Sequence, residues 1–463
     1  MKDNQSKHFD EAHLLRQQFA QYPDAAFEQA LSAEQICSVV EQHCLATVRQ
    51  RQYPPLKTLR LFVGQALGSD GSCQNVVVRQ LAQRLSAGLS AASTNTAAYC
   101  QARMRLPTAI ACDLSATLAA QLEAMSPKVW RWQGRSIKLF DGTSMSMPDT
   151  ASNQAAYPQS RTQAPGLGFP MVRIGALIGL ASGAVLGYEL TPLRGKGSGE
   201  QTVLRGLLNK VMPGDIVLAD ALLATWWLIH AISARGADVL MAQHGRRKSD
   251  FTQGQSLGKN DHLVQWPRPA KPQWMSEQEY AQCPAVLHMR ESQVNGRVLV
   301  STMRQPNYAS AKALDQLYAM RWNIEVDFRV IRATLGMDVL RCKSSQMIDK
   351  EIAVGILAYN LVRWAMAASA VLAQVLARSL SFSTAKRLLE HFGAALLRGK
   401  SQDEAALVQA LLQNIGKLHL RARPGRIEPR AKKRRPKNLP LLRQPRQQAR
   451  EAIQSKRGLI FVP

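Results

Sequence analysis

Between residues 136 and 242 the hydrophobic period switches in a fixed order, and that order constrains the fold more than any other feature of the chain. A short apolar strand at 136–140 ends at Asp141-Gly142-Thr143. Two runs, 171–180 and 184–190, flank the turn signal Ala181-Ser182-Gly183 and read as a hairpin. A helical period follows at 200–211, closed by Pro213-Gly214. The stretch 215–219 is a buried strand ending at Asp220, 222–234 is helical, and 237–242 is a further strand. Three strands, a helix, a strand, a helix and a strand make an α/β layer arrangement.

Other periods surround this block. From residue 32 to about 125 the pattern is helical, with a break at Gly68-Ser69-Asp70-Gly71, Ser72 as a helix cap, and a stop near Leu106-Pro107. Residues 244–305 carry short strands, proline clusters, Trp266 and Trp274, and read as a β-rich insertion. Helices are expected again at 318–335, 348–376 and 384–397. The expected organisation is a helical N-terminal domain (1–126), the first part of the α/β core (127–243), the insertion (244–305), a core helix (306–345), a C-terminal helical region (346–415) and a basic tail (416–463). The N-terminal domain is a candidate for DNA contact through Arg79, Arg84, Arg103 and Arg105.

Composition enters through charge. The formal net charge is +26 and the isoelectric point is near 10.2, which calls for a polyanionic partner. Residues 417–457 hold fifteen Lys/Arg against Glu428 and Glu451, half of that excess, with Lys432-Lys433-Arg434-Arg435 at its centre. The other half is spread over the body. The longest apolar runs, 174–188 and 364–377, are shorter than a membrane span needs, and the first residues show no signal peptide. Seven cysteines show no CxxC pair and are expected to be buried thiols in a reducing cytoplasm. The expected partner is therefore nucleic acid and not a membrane.

The stretch 318–335 joins charge to chemistry. At about 100° per residue, Tyr318, Arg321, Glu325 and Arg332 fall within roughly a 60° arc of one helix face. Leu317, Met320, Ile324, Phe328, Ile331 and Leu335 form an apolar stripe beside it. Such a face presents either surface ion pairs or a site. Two aspartates that end strands, Asp141 and Asp220, and Glu325 on the later helix supply three hard carboxylates from three elements. That set suits a two-metal phosphoryl-transfer centre. Asp327 points away from Glu325 and is excluded.

Taken in order, these motifs resemble a family. Tyr, two residues, Arg, three residues, Glu and six residues more mark the insertion-sequence-four branch of the DDE transposases, with Arg332 standing where that family usually has Lys. Leu139-Phe140-Asp141-Gly142-Thr143 and Val217-Leu218-Ala219-Asp220 resemble its two aspartate motifs. Tyr99-Cys100-Gln101-Ala102-Arg103 and the tail motif from Arg423 to Lys437 extend the likeness from about residue 60 to 446. The resemblance implies a ribonuclease-H-like catalytic core and Mg²⁺-dependent cut-and-paste transposition, with Mn²⁺ as a substitute. It implies terminal inverted repeats and target double-stranded DNA as partners, and a homodimer that pairs two ends. Asp141, Asp220 and Glu325 would be catalytic and hold the metals. Tyr318, Arg321 and Arg332 would bind phosphates, and Trp266 is the candidate pocket for a flipped base. A catalytically inactive DNA-binding relative and a metal-dependent nuclease of the same fold are the alternatives.

Overall fold

The computed structural model describes residues 30–43, 52–195, 197–396, 401–420 and 442–456. The first 29 residues of the expected N-terminal domain, Cys44 and the basic motifs between 421 and 441 lie outside the described residues.

Among the described residues one nine-stranded sheet forms, in the order β3-β2-β1-β4-β5-β9-β8-β7-β6. Its strands are β1 (Ile137–Ser146), β2 (Met171–Gly179), β3 (Val185–Pro192), β4 (Ile216–Ala219), β5 (Asp238–Ala242), β6 (Gln255–Gly258), β7 (Asp261–Pro267), β8 (Val286–Val294) and β9 (Arg297–Ser301). β1, β2 and β3 form an antiparallel meander. β4 lies parallel to β1, and β5 parallel to β4. The α/β layering expected for 136–242 is what forms.

The pattern of the central strands explains their burial. Ile216 and Leu218 face one core cluster while Val217 and Ala219 face the other, so β4 is apolar on both sides. On one face lie the helices Thr108–Met125 and Ser345–Ala373 together with the 311–335 segment. On the other lie Glu200–Gly206 and Trp226–Ser233. The insertion does not interrupt the layer. β9 pairs antiparallel with β5, Leu240 opposite Ser301, so the inserted strands extend the same sheet. Sequence periodicity carried no information about that pairing, because either edge of an antiparallel hairpin can extend a sheet.

The long helix Ser345–Ala373 is apolar almost all round because it crosses the interior. By length and composition it is able to span a membrane, a property that the apolar runs did not disclose, and 72% of its most apolar stretch is buried in the protein. Asn360, fully buried, ties it to the edge strand. Its Oδ1 accepts from Val185 N at 2.9 Å and its Nδ2 donates to Val185 O at 2.9 Å. At the β2–β3 turn Gly183 takes φ +71°, and a Cβ there would stand 2.8 Å from Arg363 Nε. Only glycine suits both demands.

Candidate active site

β1 and β4 are paired in parallel only from Ile137↔Ile216 to Leu139↔Leu218. Beyond that point the two strands part. Asp141 and Asp220 each stand two residues past the last pair, where β1 and β4 cease to be neighbours; Asp141 lines the groove described below, and Asp220 sits beside it at the end of β4. Ligands of open α/β sheets collect at such carboxyl ends. The strand does not end at Asp141, as its Asp-Gly sequence suggested. β1 continues to Ser146 because β2 pairs with it throughout, Asp141 opposite Ala176. Asp220 is also an N-cap: its Oδ1 accepts from Leu222 N at 3.0 Å and opens the short turn Ala221–Leu223.

Glu325 comes from the helical segment that starts at Ala311 and is not one uniform helix. Ala311–Ala319 is α-helical, Met320–Trp322 tightens to a 3₁₀ turn, Asn323–Arg329 is α-helical again, and Val330–Thr334 widens to a π turn. The tight and wide turns shift the phase in opposite senses. The expected face therefore survives in part. An open groove of about 510 Å³ is lined by Asp141, Gly142, Thr143, Glu325, Arg329 and Arg332.

Arg321 is the hinge of the charge arrangement. Its Nη1 donates to Asp141 Oδ2 at 3.2 Å and its Nη2 to Glu325 Oε1 at 3.4 Å. One guanidinium thus bridges two of the three expected carboxylates. Asp141 also accepts from Gly142 N at 2.7 Å. Burial raises the Asp141 carboxyl above its ordinary range. Gly142 N–H and Arg321 oppose that rise, and the nearby charges of Asp220 and Glu325 add to it. Among the described residues no three His, Cys, Asp or Glu side chains close tightly enough around one point to hold a metal as they stand. The donors are nonetheless hard oxygens of the class Mg²⁺ takes, and Arg321 shows that Asp141 and Glu325 share a cation.

The other expected residues divide. Arg332 faces the groove, gripped by Asp338 through Nε at 2.7 Å and through Nη2, with Nη1 3.4 Å from Thr143 Oγ1. Tyr318 is 7% exposed and packs in the core, with the Arg297 guanidinium 5.3 Å from its ring. Trp266 is 1% exposed. Its Nε1 donates to Glu291 Oε1 at 2.8 Å, and Arg247 covers its ring at 3.6 Å, so it offers no open face to a base. A buried indole needs an acceptor, and Glu291 on the adjacent strand provides it. The exposed indole of the insertion is Trp274, stacked by Arg205 at 4.2 Å. Arg103 is also withdrawn from phosphates: it lies 3.9 Å over the Phe62 ring and donates to Cys73 Sγ at 2.9 Å. Asp327 is buried against Arg363 and Arg378 and does not line the groove.

The sequence reading missed Glu200, the first residue of the Glu200–Gly206 helix. Its carboxyl is half-buried. Burial raises it first, then the charge of Asp220 and, more weakly, that of Asp141, while Arg173 opposes. Among the described residues no donor hydrogen-bonds its oxygens. The one sequence signal was its place after the glycine-rich loop Gly195, Gly197 and Gly199, which marks an unusual approach to the sheet.

Comparison with known proteins bears on the family. Residues 132–361 match the family described as "Transposase DDE domain", a span that contains Asp141, Asp220 and Glu325. The transposase InsG for insertion sequence element IS4 of Escherichia coli strain K12 is 26% identical over 419 residues, which are 89% of this chain and 92% of that protein. A solved structure of the piggyBac transposase in a synaptic complex with hairpin DNA aligns over 87% of this chain and 86% of its own, at 10% identity and a TM-score of 0.41. Residues 132–361 are thus a transposase DDE domain, and the chain is an insertion-sequence transposase similar to that of IS4, an enzyme of DNA cleavage and transfer.

Proposed function

We propose that this transposase cuts and joins the ends of its element by two-metal phosphoryl transfer on a ribonuclease-H-like core. The core assignment is supported by the strand order β3-β2-β1-β4-β5, with β4 and β5 parallel to β1. The observation that carries the chemistry is the convergence of Asp141 and Asp220 at the split between β1 and β4, with Glu325 tied to Asp141 through Arg321. Asp141, Asp220 and Glu325 would hold Mg²⁺, or Mn²⁺ in its place. When bound, these ions supply activation of the attacking oxygen and stabilisation of the leaving one.

The chain's own residues prepare that centre. Arg321 neutralises Asp141 and Glu325 while the protein is free, and its release leaves a planar donor fork for a phosphate. Arg332, held by Asp338, presents charge on the groove wall. Arginine there grips phosphate bidentately where a lysine offers a point charge. Tyr318 underpins Arg321 from the core, its ring centroid 6.0 Å from the guanidinium. The net charge of +26 serves double-stranded DNA, both terminal inverted repeats and target. Joining two ends calls for a homodimer, and the expected location is cytoplasmic.

The test uses purified full-length protein, Mg²⁺ or Mn²⁺, and DNA carrying the inverted repeats that flank the gene. Asp141→Ala, Asp220→Ala and Glu325→Ala are each expected to abolish cleavage and retain binding that weakens steeply with salt. Full cleavage by the Glu325→Ala protein would refute the assignment.

A further inference from the structure

Glu200 approaches the centre because the sheet is hollowed to admit it. Gly142 on β1 and Gly175 on β2 are directly paired, so the two lack side chains side by side on one face. The Glu200–Gly206 helix lies in that trough. A Cβ at Gly175 would collide with Val203 Cγ1, and a Cβ at Gly142 would stand 3.3 Å from Glu200 Oε1. The pair of glycines therefore lets the helix sink and sets the Glu200 carboxylate against the backbone next to Asp141. This is the face opposite the Glu325 segment: Val203 and Leu204 belong to one core cluster, Ile324 and Phe328 to the other. Asp220 ends the adjacent strand, between the two.

We propose that Glu200 is a fourth acidic residue of the cutting centre and holds a divalent cation together with Asp220. The inference rests on the two-metal reading above and deepens it. Arg173, the nearby cation, gives its Nη1 to Ser198 O at 3.1 Å. Gln201, next on the helix, donates its Nε2 to Leu222 O at 3.1 Å, so the helix start is seated on the turn that Asp220 caps. Glu200 thus lies beside that turn and beside Asp141, with its oxygens free of donors among the described residues. In the metal-free protein that juxtaposition is repulsive. A hard cation between the carboxylates removes the repulsion and uses the oxygen donors it prefers. The two sides of the cleft then have separate tasks. Glu325 and Arg321 address Asp141 from one face of the sheet, and Glu200 addresses Asp220 from the other.

The experiment titrates Mn²⁺ into full-length wild-type, Glu200→Gln, Glu200→Asp and Asp220→Asn proteins without DNA, reading free Mn²⁺ by electron paramagnetic resonance. Glu200→Gln is expected to weaken Mn²⁺ binding by at least about tenfold or to remove one equivalent. Glu200→Asp should fall between it and wild type. The Mn²⁺ concentration for half-maximal cleavage should rise by the same factor, and the metal-free melting temperature of Glu200→Gln should not drop. Unchanged Mn²⁺ binding in Glu200→Gln, with Asp220→Asn weakened, overturns the role of Glu200 and leaves the three-carboxylate centre standing. Unchanged binding in both variants overturns this proposal together with the metal reading beneath it. Lost binding accompanied by a lowered melt, and not recovered by Glu200→Asp, marks a merely structural residue and overturns it as well.

Discussion

Two residues beyond Glu325, on the core side of the same helix, Asp327 is 0% exposed and has both oxygens engaged. Arg363 Nη2 and Arg378 Nη1, the latter at 3.1 Å, donate to Oδ1, and Arg378 Nη2 donates to Oδ2 at 2.9 Å. Arg363 comes from the Ser345–Ala373 helix. Arg378 also donates to Gly179 O at 3.1 Å and to Leu180 O, at the end of β2. One carboxylate thus pins the Glu325-bearing segment to the long helix and to the sheet. Asp327→Ala strands the Arg363 guanidinium, whose side chain is 5% exposed, without its counter-charge. Removing one partner of a buried pair costs about 3–5 kcal/mol, a large share of the about 5–15 kcal/mol that holds a protein folded.

The assay is urea unfolding followed by circular dichroism, with cleavage measured below the transition. Asp327→Ala is expected to lose about 3–5 kcal/mol, and Asp327→Asn less, since it keeps one acceptor. The double variant Asp327→Leu/Arg363→Met should recover part of the loss, because a buried pair replaced as a unit leaves no orphaned charge on the helix. An Asp327→Ala protein within about 1 kcal/mol of wild type would refute the view that this triad anchors the catalytic segment.

Gly175→Ala should destabilise the protein by about 1–3 kcal/mol through overpacking against Val203, read as a lower urea midpoint; an unchanged midpoint would show that the trough under the Glu200 helix is slack. Asp141 gives a pH prediction. Burial raises its native carboxyl, so the metal-free native state holds a proton more tightly than the unfolded chain. Stability from this group is then fully present below the unfolded value of about 3.9 and is lost as pH rises through the raised native value. Without metal, Asp141→Asn should melt above wild type at neutral pH, with the gap closing as pH falls toward about 4; a gap independent of pH, or of opposite sign, would contradict this.

What was legible in the sequence follows from what each signal reports. Period and punctuation reported the strands and helices of 136–242, because β4 must be apolar on both faces and the hairpin needs Gly183. They could not report partners. Asp141-Gly142 reads as a turn in isolation, and only pairing with β2 keeps it in a strand. The inserted strands gave no sign that β9 would join β5. An even 100° helical step placed Glu325 and Arg332 on one face, but it missed the 3₁₀ and π turns, which are set by packing and not by residue type. Trp266 was chosen as an aromatic residue in the insertion, and burial, invisible in one sequence, decided against it. Glu200 escaped because its approach depends on two glycines that are 33 positions apart in the chain and paired across the sheet.

Each of the three carboxylates proposed to hold metal is held by a different part of the fold, and this bears on how such a centre would tolerate its own charge. Asp141 is fixed by ladder pairing, Asp220 by its cap on Ala221–Leu223, and Glu325 by the Asp327 staple. None depends on another acid for its position, so mutual repulsion is resisted by three independent supports rather than relaxed by a shared loop. Arg321 then needs to balance only Asp141 and Glu325, through long contacts of 3.2 and 3.4 Å that a competing cation can displace. A tighter bridge would stabilise the free protein and oppose loading of the centre. Weak pairing on a rigid frame is an arrangement that keeps the acids together and still available, and the rise in stability expected on neutralising Asp141 follows from it.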